Sequence, residues 1–215
     1  MNRILSLPLV LASVIASESL GAQDYFPLRP GNKWYYDWNG SEITLKVDSK
    51  PHEFNGNTYW AIVDSTPEVV YDSSRIVFEG TTYWIYRKAR LGMPIATMFY
   101  RKDADGNIYS YDDELNIESL LIPKQIKKGD MWMSSDGRVE YKIISRKETF
   151  KSKSSVFNDC LVISTKVLRP RYHEHSFDPS AVFLHYYCEG VGYVGSKPEE
   201  KFGMALLKWE ISNDR

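Results

Sequence analysis

Three clusters in this 215-residue chain carry residue types able to do chemistry. His173, His175 and Asp178 bring two imidazoles at an i, i+2 spacing together with a carboxylate, a set that could take zinc. A further ligand is unspecified, and the surrounding run reads as a solvated polar turn. Asp103, Asp105, Asn107 and Glu114 put oxygens at positions 1, 3, 5 and 12 of a calcium loop. The sixth position, where such loops need glycine, is Ile108, so Asp105-Gly106 is read instead as a hairpin turn. Gly190-Val-Gly192-Tyr-Val-Gly195 fits a dinucleotide fingerprint letter for letter, but Ser196 to Gly203 offers no long helix to hold a pyrophosphate. Those glycines are read as a bend or bulge in a strand.

Acid-base and nucleophile chemistry find less. Asp112, Asp113 and His185 are the nominal suspects for a secreted hydrolase, the alternative to a non-enzymatic binding protein. No Gly-x-Ser-x-Gly elbow occurs, and serines gather in turns such as Ser152 to Ser155. His185 reads as a packed, hydrogen-bonded sheet residue, and His52 precedes a glycine-containing turn. No cofactor, metal site or catalytic residue is therefore assigned. The chain is instead rich in rings, with six Trp, 15 Tyr and 9 Phe, which either fill sheet faces or line a ligand cleft. Trp34, Trp60, Trp84 and Tyr186 are the candidates for such a cleft.

The elements that must position these residues read as strands throughout. Asn39-Gly40 between alternating apolar runs is a strong hairpin signal. Short β-branched and aromatic runs follow, at 58–63, 75–78, 82–86, 97–100 and 107–111, each bounded by Gly, Pro, Asn or Asp. Only 118–127 leaves room for a helical turn, interrupted by Pro123. The expectation is an all-β fold of about ten to twelve antiparallel strands, a sandwich or a strongly curved half-barrel.

One hairpin is legible in register. Asp159 to Leu168 and Ala181 to Glu189 flank a polar turn. Folding symmetrically about position 174 sets Val162 against Tyr186, Ile163 against His185, Thr165 against Phe183 and Cys160 against Cys188. Opposed Cβ atoms lie roughly 4.5–5.5 Å apart, so a Cys160–Cys188 disulfide is predicted; the alternative is two buried thiols.

Residues 1–22 read as an export signal. Arg3 gives a positive start, Ile4 to Ala16 carries no charge, and cleavage fits after Ala22 or Ala16, with Ala22 preferred. The apolar run falls short of the roughly 20 residues that span a bilayer, so the mature chain, 23–215, is expected to be one domain without a transmembrane segment. Export to a periplasmic or extracellular space suits a disulfide. With 27 basic against 28 acidic residues, mixed along the chain, there is no electrostatic case for nucleic acid.

Gly129-Asp-Met-Trp132 repeats the spacing of Gly31-Asn-Lys-Trp34, and each is followed by a turn and an alternating run. Two diverged copies of one β-meander, 27–115 and 123–212, are read from this. Finally, Tyr25 to Tyr36, Phe157 to Val162 and Tyr186-Tyr-Cys-Glu-Gly-Val-Gly-Tyr-Val194 resemble stretches of a group of exported bacterial envelope proteins and lipoproteins of unknown function. The resemblance implies a curved antiparallel sheet or sandwich and carries over no catalytic residue; the anchor cysteine of its lipoprotein members is missing here. The resulting expectation is a non-enzymatic envelope protein that binds a small apolar molecule or an envelope partner protein.

Overall fold

A computed structural model describes residues 24–38, 40–65, 72–78, 81–87, 97–169, 181–197 and 204–212. For Ser41, 72–78 and 81–87 it describes the backbone alone. The expected export signal, the His173, His175 and Asp178 cluster and the side chain of Trp84 therefore lie outside the described residues.

Every regular element described is a strand. The first half runs β1 (Lys33–Trp38), β2 (Ser41–Phe54), β3 (Asn57–Asp64), β4 (Asp72–Phe78), β5 (Thr81–Arg87), β6 (Met98–Lys102), β7 (Ile108–Asp112) and β8 (Ile117–Ile122). The second half runs β9 (Met131–Met133), β10 (Val139–Lys151), β11 (Val156–Val167), β12 (Val182–Cys188), β13 (Gly192–Lys197) and β14 (Met204–Glu210). Twelve strands form one antiparallel sheet in the order β8-β7-β6-β3-β2-β1-β14-β13-β12-β11-β10-β9, and β4 and β5 pair as a separate hairpin. The sheet is curved and unclosed: the half-barrel form of the expected fold, not a sandwich. The helical turn considered for 118–127 is replaced by β8, because Ile117 to Ile122 pairs along β7.

Both halves are up-and-down meanders, the first interrupted by the separate β4–β5 hairpin and the second continuous from β9 to β14. They begin alike. The Gly31 and Gly129 amides donate to the carbonyls of Val47 and Ile143, at 3.3 and 2.9 Å. Those two residues donate back to the Asn32 and Asp130 carbonyls, both at 2.9 Å. Each glycine has φ near +90°, at +86° and +94°, a conformation open to glycine at little cost.

The inward faces of both halves make one core, including Ile43, Val47, Ile143, Leu161, Ile163 and Leu206. Opposite the core face of β2, β3, β6 and β7, a second cluster gathers Phe54, Tyr59, Phe99 and Tyr111. Bulges between Ile143 and Phe150 bend the long β10–β11 hairpin. Its tip reaches β1 and β14: Lys153 pairs with Asp37, Ser154 donates to the Leu207 carbonyl at 2.6 Å, and Phe157 meets Trp209.

The two sheet edges approach each other without a ladder between them. Trp132 Nε1 of β9 donates to the Leu120 carbonyl of β8 at 2.9 Å, and the Ser135 amide donates to Ser119 Oγ at 3.0 Å. The Ser135 hydroxyl also donates to the Glu118 carbonyl. Across β6 to β8, Arg101 Nη2 donates to Glu118 Oε1 at 2.7 Å, with its guanidinium 4.3 Å from the centre of the Tyr109 ring and the Tyr59 hydroxyl also on Glu118. That pairing holds the Glu118 carboxyl below its usual range.

Candidate functional site: an aromatic cavity inside the curved sheet

The predicted hairpin register is the observed one. Val162 faces Tyr186, Ile163 faces His185 and Thr165 faces Phe183. Cys160 and Cys188 are joined by a disulfide with their Cα atoms 4.2 Å apart. Strand alternation then sends His185 and Tyr187 to one face of β12 and Tyr186 to the other. Against Tyr186 stands Gly195, in a bulged part of the β12–β13 ladder, and the Phe150 ring of the bent hairpin lies over both. A Cβ at Gly195 would meet Phe150 Cζ at 2.4 Å and the Met204 carbonyl oxygen at 2.5 Å. Gly195, and Gly192 before it, thus serve a close packing of backbone against a ring, and after Gly195 the strand continues through Ser196 and Lys197.

On the face of His185 and Tyr187 lies a cavity of about 310 Å³. Strand β1 supplies Trp34, Tyr36 and Trp38, three alternate residues on one face. Facing strands supply Leu45, Ile62, Met98 and Tyr100, and the second half supplies Tyr193 and Met204. The segment before β1 adds Phe26 and Pro27 to the lining. The Phe26 ring lies tilted against Tyr100, ring centres 4.7 Å apart, and Asn32 Nδ2 donates to the Pro27 carbonyl at 2.7 Å, fixing the segment. Gly192, at φ +98°, passes the Pro27 ring where a Cβ would sit 3.2 Å from its Cδ.

The polar atoms of these rings are largely spoken for. Trp34 Nε1 donates to the Val191 carbonyl at 2.6 Å, and the Tyr36 hydroxyl donates to the Tyr193 carbonyl at 2.8 Å. The Tyr100 hydroxyl points at Met98 Sδ, 3.3 Å away, and His185 Nε2 shares a 2.9 Å hydrogen bond with Thr165 Oγ1. Burial alone pushes the His185 imidazole down to about 4, so it is neutral at physiological pH. Burial also raises the Tyr36 and Tyr187 hydroxyls well above their usual value and takes Tyr193 up to about 12. No Asp, Glu, Lys or Arg lines the cavity among the described residues. The arrangement can surround an apolar molecule and offers neutral imidazole as its polar handle; it has no charged acid-base pair.

The sequence-predicted residues are thereby dispersed. Trp34 lines the cavity. Trp60 is on the same face, paired with Tyr100, but packs into the core beside it. Tyr186 lies on the opposite face. Asp112 Oδ1 accepts the Leu115 amide in the β7–β8 turn at 3.0 Å, and Asp113 is exposed in that turn, so neither meets His185. In the calcium-like loop, Asp103 accepts the amide and side chain of Asn107, each at 2.8 Å, which closes the expected hairpin turn. Asp105 and Glu114 are exposed at opposite ends of β7, and among the described residues no cluster of three metal-binding side chains forms. Residues missed from sequence include Tyr36, Trp38, Tyr100, Tyr187 and Tyr193. For the first two a signal existed: they share with Trp34 the alternation of one strand.

Compared with protein families, with curated proteins and with solved structures, the chain matches none. Among the described residues, no helix is long and apolar enough to cross a membrane.

Proposed function

We propose that this chain is an exported, non-enzymatic protein of the cell envelope that holds a small apolar molecule inside its curved sheet. The observation that carries the reading is the cavity of about 310 Å³ walled by seven aromatic rings. Ligand sites are typically concave, mostly apolar and about 300–1,000 Å³, with a few fixed polar groups. The disulfide, the charge-free run near the start and the likeness to exported envelope proteins support an oxidising compartment. The uncharged lining favours binding over hydrolysis, since acid-base catalysis needs a titrating group within reach of its substrate.

Native mass spectrometry of the protein purified from its own envelope tests this. The expected spectrum has an extra mass of a few hundred daltons that leaves on denaturation. A bare chain, together with unchanged melting temperature across a panel of apolar ring compounds, overturns the reading. A bound second polypeptide in place of a small molecule would move the function to partner recognition.

A further inference from the structure

The cavity says more about its occupant than that it is apolar. Three features narrow the class, and the argument rests on the binding role just proposed.

Size comes first. About 310 Å³ is at the lower end of the range for ligand sites, a size that suits a molecule of one or two fused rings. Shape comes second. The walls carry aromatic rings contributed from both halves of the sheet, Trp34, Tyr36 and Tyr100 from the first and Tyr187 and Tyr193 from the second. Flat partners gain most from such walls, because offset and edge-on ring contacts add to the area they bury.

Charge comes third, and it is decisive. The indole of Trp34 and the hydroxyl of Tyr36 are directed at backbone carbonyls. An ionised ligand would thus lose its hydration without gaining a counter-charge, a loss that apolar sites do not offset. His185 is different. Its Nε2 is held by Thr165, which fixes the ring and leaves Nδ1 as the nitrogen it can offer to a ligand. If Thr165 donates to Nε2, Nδ1 carries the proton and donates; if Nε2 donates to Thr165, Nδ1 accepts. A hydroxyl group on the ligand matches either tautomer, because it both donates and accepts.

We propose that the cavity takes a small, uncharged ring compound bearing a hydroxyl group, bound with that hydroxyl on Nδ1 of His185 and its ring between the aromatic walls. His185 is the specificity-determining residue, and Thr165 is the positioning residue that orients it. The neutral state of His185 described above agrees with this, since an imidazolium would favour an anion instead.

Three probes with one ring skeleton separate the parts: naphthalene, 2-naphthol and 2-naphthoate, titrated calorimetrically into the full oxidised protein near pH 7.5. Naphthol should bind about tenfold more tightly than naphthalene, as one buried hydrogen bond allows, and on the order of a hundredfold more tightly than naphthoate. His185→Phe keeps a ring in place and should reduce the naphthol preference over naphthalene to about unity, with naphthalene affinity little changed. Thr165→Val should weaken the preference by a smaller factor. If naphthoate binds as well as naphthol, or if wild-type protein does not prefer naphthol to naphthalene, the inference falls while the binding role stands. Because those two comparisons use wild-type protein alone, a misfolded variant cannot rescue the idea. If none of the three probes binds, the inference falls, and the binding role falls with it only if the native mass spectrum also shows a bare chain.

Discussion

Removing the Cys160–Cys188 cross-link perturbs stability by an amount that can be worked from the loop it closes. The two cysteines are 28 positions apart, so the bridge closes a loop of about that length in the unfolded chain. In the chain-entropy treatment this restricts the denatured ensemble by about 12 cal/mol/K, or about 3.6 kcal/mol near room temperature. Little of that should be lost to native distortion, because β11 and β12 are already paired from Leu161 to Lys166 and bring the cysteines face to face without the bond. The perturbation is the double variant Cys160→Ala with Cys188→Ala, which removes the bond without leaving a buried thiol unpaired. For a domain of this size each kcal/mol moves the melting temperature about 2–4 °C, so a fall of roughly 7–14 °C is expected. Urea denaturation followed by tryptophan fluorescence should show the same loss, with a steeper transition, because the unlinked chain exposes more surface on unfolding. A variant that melts within about 2 °C of the wild type, with an unchanged urea slope, refutes the reasoning. It would mean that the unfolded chain keeps the β11–β12 hairpin closed by itself.

Two further outcomes follow from the packing. Gly195→Ala sets a Cβ 2.4 Å from Phe150 Cζ and 2.5 Å from the Met204 oxygen at a φ of +154°. A loss of about 2–5 kcal/mol is expected in urea titrations. Adding Phe150→Leu should restore only part of it, since the carbonyl remains; wild-type stability for Gly195→Ala would show that the strand shifts freely. The second concerns pH. His185 titrates near 4 when folded against about 6.5 when unfolded, so between those values the unfolded chain binds the extra proton. The contribution is fully present above pH 6.5 and is lost as pH falls towards 4, to the extent of about 3 kcal/mol. The difference in unfolding free energy between pH 7.5 and pH 4 should therefore be smaller by about that amount in His185→Phe than in the wild type. Parallel profiles would mean that the imidazole is solvated in the native protein.

What could be read from the sequence was what depends on neighbours along the chain. The register of Cys160 with Cys188 followed from a turn midpoint and strand periodicity, both local quantities. The turn at Asp105-Gly106 followed from the conformation that Gly106 permits, with φ at +94° in the fold. The cavity was only half legible. Alternation shows that Trp34, Tyr36 and Trp38 share a face and that Tyr186 and Tyr187 do not, but it does not say which face turns inward. That choice is made by the curvature of twelve strands and by the β10–β11 hairpin, whose bulges exchange faces without any mark in composition. Trp60 shows the same limit: its face is inward, yet whether a ring there lines a cavity or fills it depends on strands far away in sequence. The meeting of Trp132 with Leu120 was invisible for a related reason, since an edge strand carries no signature of what it will approach.

That last contact has a mechanical consequence. Where β8 meets β9 the wall is laced by three hydrogen bonds that each involve a side chain, where every other seam of the wall has a backbone ladder. Such bonds contribute only about 0.5–1.5 kcal/mol net apiece. Parting them leaves all eleven ladders of the twelve-strand sheet intact. The girth of the curved sheet is therefore adjustable along a single line, and the wall can widen there without unravelling any strand.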